Sequence, residues 1–232
     1  MSQLTERNIE ILKIIIEEYI KTWNVLGSKL LLKKYDLWVS SATVRNDMAT
    51  LERLELIYQP YNSAGRLPTT KGLRAFVNYM MQQTPDYFLE AKNTEYSTSN
   101  IRELADFIYT LASKLAEKTG EIAFFIVPEK HICEFNGIAA FLEKNTGKLS
   151  DDGMNIIKML EKKPSFTQFI ANFPLREWVN IFIWEENILP YLKDYTIILK
   201  WLEIDGSSAY IGIIWSLQMD YSFNVSAVKG II

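Results

Sequence analysis

Cysteine and histidine are almost missing from this chain: among its 232 residues, Cys133 and His131 are the single members of their types. One cysteine excludes an internal disulfide and any thiolate cluster. A His/Cys metal site needs about three or four ligands, which this pair does not supply. No window approaches the roughly 18 consecutive apolar residues of a membrane span. The first residues, Met1 to Arg7, lack the basic region, apolar stretch and small-residue cleavage site of a secretory leader. A cytoplasmic protein with no membrane partner is the expectation. Glycine-rich phosphate loops are missing too, since Gly120 and Gly137 stand isolated. No cofactor is expected.

What is present is ordinary globular material. Apolar residues make up 48% and charged residues 23%, which excludes global disorder and leaves enough apolar side chains for one large core or two small ones. The net charge of −3 conceals an asymmetry. Residues 1–83 hold 11 Lys+Arg against 8 Asp+Glu, a net +3, and residues 84–232 hold 14 against 20, a net −6. A basic front and an acidic back point to two parts with different partners.

The hydrophobic period builds the front part from helices. Ile9, Leu12, Ile15, Ile16, Tyr19 and Ile20 recur at helical spacing, so Thr5 to Trp23 is expected as an amphipathic helix with Thr5 at its N-cap. Asn24 to Gly27 breaks it, and Ser28 is expected to cap a short helix reaching Tyr35. Ser40 then caps a helix through Leu54, with Val44, Met48 and Leu51 inward and Ala42, Arg45, Asn46, Ala49 and Arg53 outward. Leu56 to Gln59 and Gly65 to Pro68 bracket a polar tip, which predicts a two-stranded hairpin. A fourth helix is expected from a Thr70 cap to about Gln83.

Thr84 to Ser99 is polar and aperiodic, and is read as a linker. Beyond it, Asn100 to Lys118 predicts a helix with Ile101, Leu104, Ala105, Ile108, Leu111, Ala112 and Leu115 on one face, stopped by Gly120. Strands are expected at Ile122 to Val127, Val179 to Trp184, Thr196 to Ile204 and Ala209 to Trp215. The pair Asp205-Gly206 marks the hairpin between the last two. Gly137 to Lys144 and Asp151 to Lys162 read as helices, and Asp220 caps a final one toward Ile232.

Three short helices followed by a hairpin predict a winged helix-turn-helix over residues 1–83. A helix entering the major groove needs small or polar residues at its N-terminal end. Ser41, Ala42, Thr43, Arg45 and Asn46 supply them. Arg pairs with guanine and Asn with adenine through two hydrogen bonds. Amides at the helix starts near Ser28 and Ser41 are placed to hold phosphates. Arg66 on the wing, with Lys71 and Arg74 on the fourth helix, would contact the backbone or minor groove, contacts that orient without reading sequence. Asp47 is expected to be structural, a partner for a nearby Arg. Winged helices also serve as protein-binding modules, and that reading stays open on pattern alone.

At this point the residues resemble a known family, the heat-inducible transcription repressor HrcA. The resemblance rests on Leu4-Thr5-Glu6-Arg7, Gly27-Ser28-Lys29, Ser41-Ala42-Thr43-Val44-Arg45-Asn46-Asp47-Met48 and Ser63-Ala64-Gly65-Arg66-Leu67-Pro68-Thr69. It returns in Ile183-Trp184-Glu185-Glu186-Asn187, Ile211-Gly212-Ile213-Ile214 and Met219-Asp220-Tyr221, and is weak between residues 128 and 178. The resemblance implies an α+β chain: a winged helix over 1–83, a linker over 84–99, and a GAF-like α/β regulatory and dimerisation domain over 100–232. It implies a homodimer on a double-stranded inverted-repeat operator, CIRCE, upstream of chaperone operons, modulated by the chaperonin GroEL and released by heat. It also implies Lys29 as a DNA contact beside Ser28. Family members carry an inserted dimerisation domain in the weak middle region, and here that insert is expected to be reduced or absent.

Rival readings are a regulator that senses a small molecule through its GAF-like domain, and a winged-helix scaffold that binds only protein. The aromatics Trp178, Phe182, Trp184, Tyr195, Trp201, Tyr210 and Trp215 are expected to pack the second core rather than line a pocket. A Cys133–His131 nucleophile pair lacks any identifiable orienting residue. Adjacent Glu185 and Glu186 read as surface charges or a helix start rather than catalytic acids, and no enzyme is expected.

Overall fold

The computed structural model describes residues 4–22, 24–35, 37–62, 64–83, 100–144, 151–175, 179–183, 186, 187, 192, 195–217 and 219–231. The predicted linker, Ser63, Trp178, Trp184 and Glu185 lie outside the described residues. The chain divides into two compact units, Met1–Gln83 and Thr84–Ile232.

The first unit holds α1 (Glu6–Thr22), α2 (Ser28–Lys34), α3 (Ser41–Arg53), β1 (Ile57–Tyr58), β2 (Leu67–Pro68) and α4 (Thr70–Gln83). Helix α1 starts at a reciprocal cap. The Asn8 amide donates to Thr5 Oγ1 and the Thr5 amide donates to Asn8 Oδ1, each at 3.2 Å. This satisfies two of the donors that a helix start leaves open. Ile11, Ile15 and Ile16 of α1 are buried against α3, α4 and β2, with Leu31, Val44, Leu51, Leu73 and Val77 completing the core.

Two caps differ from expectation. Gly27, not Ser28, is the N-cap of α2, and no side chain closes that end. Thr69, not Thr70, caps α4: its hydroxyl accepts from the Gly72 amide at 3.0 Å and donates to the Glu55 carbonyl at 2.6 Å. The cap thus ties α4 to the turn after α3, which a one-residue shift would lose.

The second unit holds α5 (Ile101–Thr119), β3 (Ile122–Val127), a 3₁₀ turn (Pro128–Lys130) and β4 (Ile132–Asn136). It continues with α6 (Ile138–Lys144), α7 (Asp151–Glu161), α8 (Lys163–Ala171), β5 (Val179–Ile183), β6 (Tyr195–Ile204), β7 (Ser207–Ser216) and α9 (Tyr221–Lys229). The five strands form one sheet in the order β4-β3-β7-β6-β5. Every pairing is antiparallel, so the unit is α+β, consistent with a GAF-like domain, and not α/β in the sense of parallel crossovers. Helices α5 and α9 pack together on it, α5 against β3 and β4 and α9 against β6 and β7.

Local chemistry explains the ends of these elements. Asn100 Oδ1 caps α5, and Gly120 closes it in the left-handed region at φ 70°. Asp205 (φ 50°) and Gly206 (φ 70°) make the two-residue turn joining β6 to β7, the backbone such a hairpin demands. Asp220 accepts from the Phe223 amide at 3.0 Å to start α9. Strand β4 and helix α8 were not expected. Ile101 is exposed rather than on the buried face of α5.

The aromatic core is filled by edge-to-face pairs. Phe124 meets Phe166 at 5.3 Å between ring centres, and Phe141 meets Trp215 at 5.3 Å. Phe182, Tyr195 and Trp215 are buried as expected, and Trp201 and Tyr210 are half-buried.

Candidate nucleic-acid interface

Helix α3 is two-faced by construction. Val44, Met48 and Leu51 are buried, while Ala42, Arg45, Asn46, Ala49 and Arg53 are exposed. The Ser40 hydroxyl accepts from the Thr43 amide at 3.1 Å and lies 2.9 Å from Thr43 Oγ1. The first-turn amides of Ser41 and Ala42 have no intrahelical acceptor, because helix geometry leaves a first turn without one. A helix start of this kind favours a negative ligand. Farther along, Arg45 reaches back to the Ser41 hydroxyl at 3.4 Å, and Arg53 donates to Thr50 Oγ1 at 3.0 Å.

Buried polar bonds fix the helix from behind. Asp47, 8% exposed, accepts from Arg7 Nε at 2.7 Å and from the Asn8 side-chain amide at 2.9 Å. It is the structural carboxylate expected, and it raises the Arg7 pKa by hydrogen bonding first and by charge second. On α1, Glu18 accepts from Lys34 Nζ at 2.6 Å and from the Tyr35 hydroxyl at 2.8 Å, which docks the end of α2. These bonds hold the Glu18 pKa below its ordinary value, the one to Lys34 most strongly. Burial, with help from Glu18, pushes Tyr35 up to about 12.

The hairpin is pinned to the same body. Leu26 and Arg66 exchange two backbone hydrogen bonds, at 3.1 and 2.9 Å, beside the β1–β2 pair. Gly65 permits that approach, since a Cβ there would strike the Leu26 backbone. The Arg66 guanidinium turns onto Glu52 of α3, with Nη2 at 2.9 Å and Nε at 3.1 Å, and its side chain is 20% exposed. It therefore ties the hairpin to α3. Gln59 donates to the Ala64 carbonyl at 3.0 Å and braces the tip.

The remaining expected residues are distributed around this frame. Lys29 is exposed and Ser28 half-buried at the start of α2, and Ser41 and Thr43 are half-buried at the start of α3. Lys71 meets Glu55 at 3.0 Å with both side chains largely in solvent, a pair that holds the lysine only weakly. Arg74 is half-buried on α4. Sequence reasoning missed three aromatic side chains: Trp38, before α3, is 89% exposed, Tyr61 at the hairpin tip is 68% exposed, and Tyr58 of β1 is 42% exposed. The signal for Trp38 was a large apolar residue just ahead of the Ser40 cap with no helical period to bury it.

Among the described residues of the second unit lies an open groove of about 510 Å³, lined by Pro128, His131, Cys133, Glu134, Lys163 and Thr167 among others. His131 stands exposed at a left-handed turn (φ 54°) before β4, whereas Cys133 is buried on it. His131 precedes the strand, so the two are not a strand pair. Burial pushes the thiol pKa up, the opposite of an activated thiolate. Among the described residues, no group of three His, Cys, Asp or Glu side chains is arranged to hold a metal, and no helix is long and apolar enough to cross a membrane.

These features define a two-unit α+β protein whose helical front presents one polar helix face backed by a hairpin. The HrcA protein C-terminal domain family model matches residues 40–225, and the chain belongs to the HrcA family. Among curated relatives, the heat-inducible transcription repressor HrcA of Thermomicrobium roseum is 36% identical over 131 residues, which are 56% of this chain and 38% of that one. The repressor of the same name from Bifidobacterium adolescentis is 34% identical over 163 residues, 66% of this chain and 44% of that one. The chain thus spans less than half the length of these relatives. A crystal structure of a hypothetical protein, 18% identical, superposes with a TM-score of 0.74 over 99% of this chain and 96% of the other. That likeness speaks for the fold.

Proposed function

We propose that this chain is a DNA-binding transcriptional repressor of heat-shock (chaperone) operons, its first unit acting as a winged helix-turn-helix. Helix α3 is the recognition helix, α2 the supporting helix and the β1–β2 hairpin the wing. The observation that carries this is α3 itself: every bulky aliphatic side chain faces in, and Ala42, Arg45, Asn46, Ala49 and Arg53 face out. The names of the relatives, heat-inducible transcription repressors, agree with it.

In this reading Arg45 and Asn46 read base edges with Thr43 beside them, and the open first-turn amides of Ser41 and Ala42 hold a phosphate. Ser28, Lys29, Lys71 and Arg74 contact the backbone, and Arg66 sets the wing angle through Glu52. The chain acts as a cytoplasmic homodimer, so two copies of α3 meet the half-sites of an inverted repeat such as CIRCE. One winged helix makes few phosphate contacts, so occupancy depends on holding two copies together. Heat that loosens the second unit lowers occupancy and releases transcription, and GroEL modulates the active fraction.

The test is a binding titration on an inverted-repeat duplex, on the same duplex with one half-site scrambled, and on a fully scrambled control, at several salt concentrations. Tight binding to the intact repeat, a large loss on scrambling one half-site and a steep salt slope are expected. Salt-insensitive binding, or none, leaves the scaffold reading. The groove beside Cys133 favours the small-molecule reading only as a surface feature, because the sheet interior is filled by Phe124, Phe141, Phe166 and Trp215.

A further inference from the structure

Among the described residues of the first unit, Trp38 is the largest exposed apolar side chain, at 89%, and its backbone sits in the left-handed region at φ 51°. Both facts work against the fold. An indole in water forfeits the burial that makes tryptophan stabilising. A bulky L-residue in left-handed backbone is strained, where Gly, Asn or Asp would sit with less cost. Among the described residues its side chain makes no hydrogen bond or ring contact that would compensate. A strained outlier of this kind is where a functional constraint is sought.

Its position names the partner. Trp38 lies two residues before Ser40, the cap of α3, and follows the basic last turn of α2, with Lys33 and Lys34. When the N-terminal end of a recognition helix reaches base edges, the turn leading into it lies over the rail of sugars and phosphates bounding the groove. Indole suits that rail. Its body is apolar, and its Nε1–H is a donor without charge. We propose that Trp38 is a backbone-docking residue of this chain: the ring lies on a deoxyribose and Nε1–H donates to a phosphate oxygen. The inference rests on the DNA-binding reading above and deepens it. A neutral donor displaces no counterion, so its contribution differs from that of a lysine in its salt dependence.

The test compares wild-type chain with Trp38→Asn and Trp38→Phe on a duplex selected from a random pool and on its scrambled control. Trp38→Asn is expected to weaken binding roughly tenfold on both duplexes, leave the slope of affinity against salt unchanged, and leave the melting temperature equal or higher. Trp38→Phe keeps the ring and recovers part of the loss. Affinity unchanged in Trp38→Asn overturns the inference, as does loss confined to the selected duplex or loss with a lowered melting temperature. Failure of the wild-type chain to bind either duplex overturns the DNA-binding reading itself, a result distinct from these.

Discussion

Arg7 of α1 and Asp47 of α3 are joined by a 2.7 Å ion pair forty residues apart in sequence, and the Asn8 side-chain amide adds a 2.9 Å bond to the same carboxylate. Asn8 also closes the start of α1 with Thr5. One carboxylate thus links the cap of the first helix to the rear of the helix proposed to read DNA, which fixes the angle at which the polar face of α3 is presented.

Asp47→Ala is expected to destabilise the first unit by about 1–3 kcal/mol, because the buried Asn8 amide loses its acceptor. Arg7 is half in solvent, so its ion pair adds little to this loss. Urea unfolding followed by circular dichroism should show a lower midpoint with the slope retained. Duplex binding measured well below the new midpoint should persist, since no residue of the outer face is removed.

Arg45→Ala and Lys71→Ala separate reading from anchoring. The first should cost roughly 1–3 kcal/mol on a selected duplex and relax specificity at one position. The second should weaken selected and scrambled duplexes alike and reduce the salt slope by about one. Equal losses on both duplexes for Arg45→Ala would assign it to phosphate instead.

Arg66→Ala tests the wing. Because Arg66 spends its guanidinium on Glu52, the variant should lose affinity by the same factor on every sequence, and Glu52→Ala should reproduce the loss. Specificity measured by competition should not change in either.

A loss of stability toward alkaline pH is expected from Glu121 in the second unit. This side chain is 5% exposed, and its carboxyl is pushed up to about 7, chiefly by burial, with Lys144 and Asn224 offsetting part of the shift. Its ordinary value is 4.5, so the folded state holds the proton more tightly than the unfolded chain. The linkage is therefore fully favourable below that value and is lost as pH rises through about 7. Unfolding of the second unit should be about 2 kcal/mol easier at pH 8 than at pH 5. Glu121→Gln should flatten the dependence.

Much of this architecture is written in local chemistry. The Ser40 and Asp220 caps, the Gly120 stop and the Asp205-Gly206 hairpin each depend on one or two neighbouring side chains, and the two faces of α3 follow from helical period alone. Where the partner is distant, the sequence is silent. Arg66 looks like a free wing cation until Glu52 is placed beside it. Strand β4 is short, and its burial at Ile132 and Cys133 comes from packing rather than alternation. Helix α8 opens on Lys163-Pro164, where the proline reads as a breaker but occupies the first turn, the one stretch of a helix that tolerates it. The left-handed backbone of Trp38 has no residue-level signal, because tryptophan is among the last residues expected there.

If α3 is the recognition helix, its outer face lies in the major groove. Methylation protection at guanine N7 tests it most directly, because that atom is exposed only in that groove. On a selected inverted-repeat duplex protection is expected in two patches, one or a whole number of helical turns apart, both lost in Arg45→Ala. Bound duplex whose guanine N7 atoms all remain reactive would contradict it.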